Sequence, residues 1–280
     1  MSRNKNRLQI PDVPKSAPPE PDNAMGYSIP TELVDLPSEG RFYPSGHPLH
    51  NEKHVEIRYM TAKDEDILTS PSFLSKGVAI DKFISNILVN KNIDQDSLLD
   101  ADRNAIMIAA RTTGYGKYYE TSFDCQHCGA RSDVNVDLTS FGVRKTNELA
   151  LEELGVQIKD GICSFQTELL EADFEIKLSS YGDAKNLVQT NDNKVRLGLE
   201  ESQTTDFLKS IIISVNGAED RDIINRVVDL MPALDARKIK KVHKLAVPEV
   251  DTEVELICSK CGQASRMEVP FTAGFFWPEL

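Results

Sequence analysis

The chain carries the pattern Cys-x-x-Cys-Gly twice, in DCQHCG (residues 124–129) and ICSKCG (residues 257–262), with equivalent positions 133 apart. A Cys-x-x-Cys turn places two thiolates along one edge of a tetrahedron, and the glycine after it permits the tight backbone turn. One such turn is half a site. If two turns so far apart share a metal, the intervening chain must fold back on itself. Cys125, Cys128, Cys258 and Cys261 are therefore the candidate ligands of one structural Zn2+ centre. Four thiolates would close its shell and leave no position for water or substrate. A redox pair is disfavoured, because such motifs normally open a helix and these lie between strand-like stretches. The remaining alternative is incidental thiols in apolar turns. Cys163, alone in GICSFQ, reads as a small core residue. His127 reads as a spacer inside the first knuckle.

The flanks of the two turns match. KYYETSFDC runs into the first and ARSDVNVDL leaves it, with Val134, Val136 and Leu138 alternating, which predicts a hairpin with the cysteines at its tip. TEVELIC and ASRMEVPF repeat that arrangement around the second. Upstream, FEIKLSSYGDAKNL lies against VEIRYMTAKDEDIL at a constant offset of 119, while Asp235 and Ile239 lie against Asp102 and Ile106 at 133. Between them sit helical patterns, with Phe83, Ile84 and Ile87 on one face of VAIDKFISNILVN and Ile106, Met107 and Ala110 on one face of DADRNAIMIAARTT. The expected fold is α+β: an internally duplicated unit of strand, helices and β-hairpin, with zinc-ribbon-like knuckles. The expected boundaries are a disordered Pro-rich arm (1–28), an irregular Pro/Gly loop packed on the body (29–54), repeat 1 with the first knuckle (55–141), a connector (142–173), repeat 2 with the second knuckle (174–270) and an aromatic tail (271–280).

The formal net charge is −12. A field of that sign repels a phosphate backbone and favours solubility and basic protein partners. A zinc-ribbon nucleic-acid or regulatory module is the competing class, but Asp124, Arg131, Asp133 and Asp137 beside the first knuckle, and Lys260 and Arg266 with Glu255 and Glu268 beside the second, do not make a basic stripe. No apolar run approaches the ~18–20 residues of a membrane span. The first residues, MSRNKNRLQIPDVP, lack the apolar core of a secretory signal, so synthesis inside a cell is expected. No catalytic motif appears. His47, His50 and His54 sit in a polar loop with nothing to complete a metal shell, GYGK (114–117) reads as a helix stop, and no small-molecule substrate is indicated. The C-terminal VPFTAGFFWPEL holds Phe271, Phe275, Phe276 and Trp277, the only tryptophan. Phe275, Phe276 and Trp277 either cap the chain's own core or form an aromatic anchor for a partner.

Several of these stretches resemble a known family. LPSEGRFYPSG (36–46), the strand and helix of VEIRYMTAKDEDIL, Asp102-Arg103 with Arg111 and GYG, the CQHCG knuckle and the terminal FFWPE look like the T4-type phage baseplate proteins. The resemblance spans residues 36–280 and rests most on LPSxGxFYPxG followed by the strand. It implies a non-enzymatic hub component or hub assembly factor of a contractile tail. Its partners would be other baseplate hub or tail proteins. It would act in the host cytoplasm during assembly or remain in the virion. The arm generates a first prediction. Five prolines between residues 11 and 21 and almost no apolar content supply no core. A chain lacking residues 1–25 should keep its melting temperature in a calorimetric scan.

Overall fold

The computed structural model describes residues 28–269 and 273–276. The arm expected at 1–28 therefore lies almost wholly outside the described residues, as do Phe271 and Trp277.

Strands β1 (Thr31–Asp35) and β2 (His54–Arg58) pair antiparallel, with Val34 opposite Val55. β1 lies inside the stretch read as irregular loop, because TELVD is too short and too polar to announce a strand before β2 supplies its partner. Between the two strands the chain makes the LPSEG turn, where Gly40 has φ +70° and a Cβ would fall 2.4 Å from backbone atoms of Leu49 and Glu52. Helices α1 (Ala62–Thr69), α2 (Pro71–Ser75), α3 (Ala79–Ile87) and α4 (Asp100–Tyr115) follow. Thr61 and Asp64 form a capping box at the start of α1. Gly114 lies within α4, and Gly116, at φ +85°, ends it.

Hairpin β3 (Tyr118–Asp124) with β4 (Arg131–Asp137) is as the alternation predicts. The segment after it is richer than a connector: β5 (Gly142–Arg144), α5 (Glu148–Glu153), β6 (Gln157–Lys159) and β7 (Ile162–Gln166). Then come β8 (Asp173–Lys177), α6 (Tyr181–Arg196), α7 (Gln203–Ile211), β9 (Ile212–Val215), α8 (Arg221–Asp229) and α9 (Ala233–Ala246). β10 (Glu249–Asp251) and the hairpin β11 (Glu253–Ile257) with β12 (Ala264–Glu268) complete the strands, and Ala273–Phe276 forms one turn of 3-10 helix. β6-β7-β8-β9 is a four-stranded antiparallel sheet, and β10 pairs with β5. The architecture is α+β built on small sheets.

Buried carboxylates fix the turns. Asp64 takes both guanidinium nitrogens of Arg58 (2.7 and 2.8 Å), the Thr61 N–H and hydroxyl, and the Asn86 amide. Asp183 is held the same way by Lys177 and by the Ser180 N–H and hydroxyl. Asp102, near the start of α4, accepts from the Ser38 N–H (2.9 Å), the Ser38 hydroxyl (2.6 Å) and the Tyr43 hydroxyl (2.7 Å), which ties the LPSEG turn to the helix. Asp235, near the start of α9, accepts three backbone N–H groups from residues 168–170. Burial raises the Asp102 carboxyl despite its donors from Ser38 and Tyr43. Burial would also raise Asp64, but Arg58, Thr61 and Asn86 hold it below the usual range.

One apolar core includes Ile57, Phe83, Ile106, Phe174, Ile176, Ile239, Phe275 and Phe276. Phe276 packs edge-on against Phe83 at 4.9 Å, Phe275 against Tyr119 at 5.2 Å, and the Phe275 carbonyl accepts from Arg111 Nε at 3.0 Å. Of the two roles open to these rings, Phe275 and Phe276 take that of capping the chain's own core; at 0% and 1% exposure they offer a partner no surface. Phe276→Ala should then cost about 3–5 kcal/mol in urea unfolding. An unchanged midpoint would show that the ring is not packed as described.

Candidate metal centre

Each hairpin delivers its cysteines in the same way. Cys125 follows β3 directly and Cys258 follows β11. The Cys125 N–H donates to the Ala130 carbonyl (2.9 Å) and the Gly129 N–H to the Cys125 carbonyl (2.8 Å); Cys258 with Gln263 and Gly262 repeats the pair at 3.0 and 2.9 Å. Gly129 and Gly262 sit at φ +66° and +70°, where a side chain would be strained. Strand register matches as well: Asp124 faces Arg131, and Ile257 faces Ala264.

The two tips meet. The sulfurs of Cys125, Cys128, Cys258 and Cys261 all lie within 4.8 Å of one another. Cys125 Sγ is 3.7 Å from Cys261 Sγ, and Cys128 Sγ is 3.7 Å from Cys258 Sγ. Adding 133 to each number of the first pair's first hairpin residue, and subtracting it from the second, converts one pair into the other, so the contacts obey a twofold exchange. A tetrahedron with zinc–sulfur arms of ~2.3 Å has edges of about 3.8 Å. The four cysteines are free thiols, far beyond the ~2.05 Å of a disulfide. The four could hold a metal ion.

The surroundings favour thiolate at Cys125 and Cys258, whereas desolvation and the other three sulfurs push Cys261 up to about 12. Backbone N–H groups of Cys128 and His127 lower the Cys125 thiol, and those of Cys261 and Lys260 lower Cys258 to about 6. The Lys260 N–H stands 3.4 Å from Cys258 Sγ. Cys125 and Cys258 are buried, whereas Cys128 and Cys261 face solvent. Two residues that the sequence reading missed complete the shell. Ser132 Oγ lies 3.9 Å from Cys258 Sγ, and Ser265 Oγ lies 3.8 Å from Cys125 Sγ, each serine reaching the other hairpin's buried sulfur. The signal was present: both serines stand seven residues after their own hairpin's first cysteine. Serine at a strand position simply carries no metal-ligand pattern.

The remaining candidates fall elsewhere. Cys163 is fully buried in the main core, and burial pushes its thiol up to about 11. His47 stacks on Tyr43 and shares a hydrogen bond with Ser97 Oγ at 2.8 Å, His50 bonds to the Tyr43 carbonyl, and His54 pairs with Asp35. His127 is exposed and contributes its backbone.

The chain is thus an α+β protein whose two hairpins meet on a four-cysteine cluster and whose polar loops are pinned by buried carboxylates. A sequence model described as T4 bacteriophage base plate protein matches residues 32–277, and the chain belongs to that family. Searches of curated proteins and of solved structures returned no match.

If the cluster acts as one unit, Cys125→Ser and Cys258→Ser should lower the melting temperature equally, since each removes one buried member of one cluster. A silent substitution at one position beside an unfolding one at the other would mean that the hairpins are held independently.

Proposed function

We propose that this baseplate protein is a non-enzymatic hub component or hub assembly factor of a contractile tail, clamped by one structural four-cysteine zinc site. The observation that carries the metal reading is the convergence of four sulfurs on near-tetrahedral edges. Cys125, Cys128, Cys258 and Cys261 would hold the ion, and four thiolates would leave it no open position for catalysis. When bound, zinc would cross-link two hairpins whose shared apolar cluster is small. The hub reading is supported by the family and by the acidic balance of the chain, which suits protein partners in the tail. Acidic residues Asp124, Asp133, Glu253 and Glu255 on the hairpins disfavour the competing nucleic-acid ribbon. Among the described residues no helix is long and apolar enough to cross a membrane.

The same reading includes an internal duplication. The parallels are Arg58–Asp64 with Lys177–Asp183, Asp102 with Asp235, and hairpin with hairpin. β1 before β2 corresponds to β7 before β8, so each repeat would begin further upstream than the sequence alone suggests.

Metal analysis of the purified chain should find one zinc per polypeptide, and a phage lacking the gene should form complete baseplates only when the intact gene is supplied. Two zinc ions, or none in a fully folded chain, would end the shared-site reading. Normal baseplates without the gene would end the hub reading.

A further inference from the structure

Helix α9 runs against the charge of the rest of the chain. Arg237, Lys238, Lys240, Lys241 and Lys244 fall within eight residues of a protein of net charge −12. Arg237, Lys240, Lys241 and Lys244 stand at i, i+3, i+4 and i+7, so they form one stripe, and all four are exposed. Ile239, Val242 and Ala246 of the same helix are buried. Among the described residues none of the five cations is in an ion pair, whereas neighbouring Arg41, Arg144 and Lys145 are matched to Glu148, Glu249 and Glu39. Like charges one turn apart repel, so the stripe costs the helix stability. The fold does not demand it: α4 has a buried aspartate of its own, Asp102, in its first turn and carries Asn104, Met107, Ile108 and Arg111 at the positions 133 earlier.

The stripe borders a groove of about 940 Å³ whose lining includes Lys241 and Lys244 beside Pro37, Leu149 and Leu245. Leu149 is 75% exposed. Cations on one rim and an uncovered leucine on the other suit a ligand that is both acidic and apolar.

We propose that the α9 stripe and this groove dock an acidic polypeptide segment of a partner protein, with carboxylates on Lys240, Lys241 and Lys244 and an apolar side chain of the same segment against Leu149 and Leu245. Charge complementarity selects the partner. A nucleic acid fits less well, because a regular phosphate backbone brings no apolar side chain to cover the exposed Leu149. The chain's own arm is also poorly suited, since Arg3, Lys5, Arg7 and Lys15 outnumber Asp12 in its first fifteen residues. The inference stands on charge and shape and needs neither the hub role nor the zinc.

Fluorescence anisotropy tests it, using the full chain and a fluorescein-labelled peptide of repeating Glu-Glu-Leu. Combined Lys240→Ala, Lys241→Ala and Lys244→Ala should weaken binding about tenfold, the sum of three exposed ion pairs, and flatten its salt dependence. The melting temperature should hold, since these side chains point to solvent. Leu149→Ala should weaken binding severalfold without changing the salt slope. Four results would overturn the proposal: no binding by the wild-type chain, undiminished binding by the triple variant, tighter binding of a DNA duplex than of the peptide, or lysine-dependent self-association in sedimentation.

Discussion

The meeting of the two cysteine hairpins is the contact that closes the chain on itself. It joins residues 126–140 apart in sequence, yet its apolar part is slight: Phe123, Cys125 and Cys258 are buried there, with Ala130, Val134, Leu256 and Met267 packed around them, of which Val134 and Met267 also pack against the main core. At about 25 cal/mol per Å² of apolar surface, so small a cluster supplies only a few kcal/mol. Polar contacts must therefore hold the tips in register. Each buried sulfur draws N–H groups from its own turn and a serine hydroxyl from the other hairpin, so neither tip completes its shell alone.

The same logic governs the turns. A buried carboxylate is costly unless its lone pairs are occupied, and each of these aspartates collects three or more donors. Asp102 and Asp235 collect theirs from segments 59 to 67 residues upstream. They contribute less to net stability than to specificity: only one conformation of the turn presents its N–H groups to the acid. Arg103, next to Asp102, reaches Asp81 and Gln95 and stacks at 3.8 Å on Tyr181 at the head of α6. LPSEGRFY, Asp102-Arg103, Arg111 with GYG and the Phe275-Phe276 pair are scattered in sequence but meet around α4.

Net charge is a poor guide to any one face of this molecule. At physiological ionic strength charges more than ~8 Å apart are largely screened. A cationic stripe one helix face wide is therefore felt locally as basic, even on a chain of net −12.

Much of this was legible in the chain itself. Knuckle spacing, alternation on either side of it and the Asp102/Asp235 offset are local or periodic signals, and they announced the hairpins, the helices α3 and α4 and the four candidate ligands. What was not legible depended on partners distant in sequence. TELVD became β1 only against β2, and β6, β7 and β9 became strands only around β8, because such short strands take their stability from neighbouring ladders rather than from their own pattern. Phe275 and Phe276 could have faced inward or outward, and Phe83, Tyr119 and Arg111 decided for inward. Ser132 and Ser265 acquired a role only when the opposite sulfur arrived. The sequence by itself determined which residues could bind a metal, since thiol chemistry and turn geometry are local. Tertiary structure decided that all four sulfurs share one place, because only the folded chain brings the two tips within a bond network's reach.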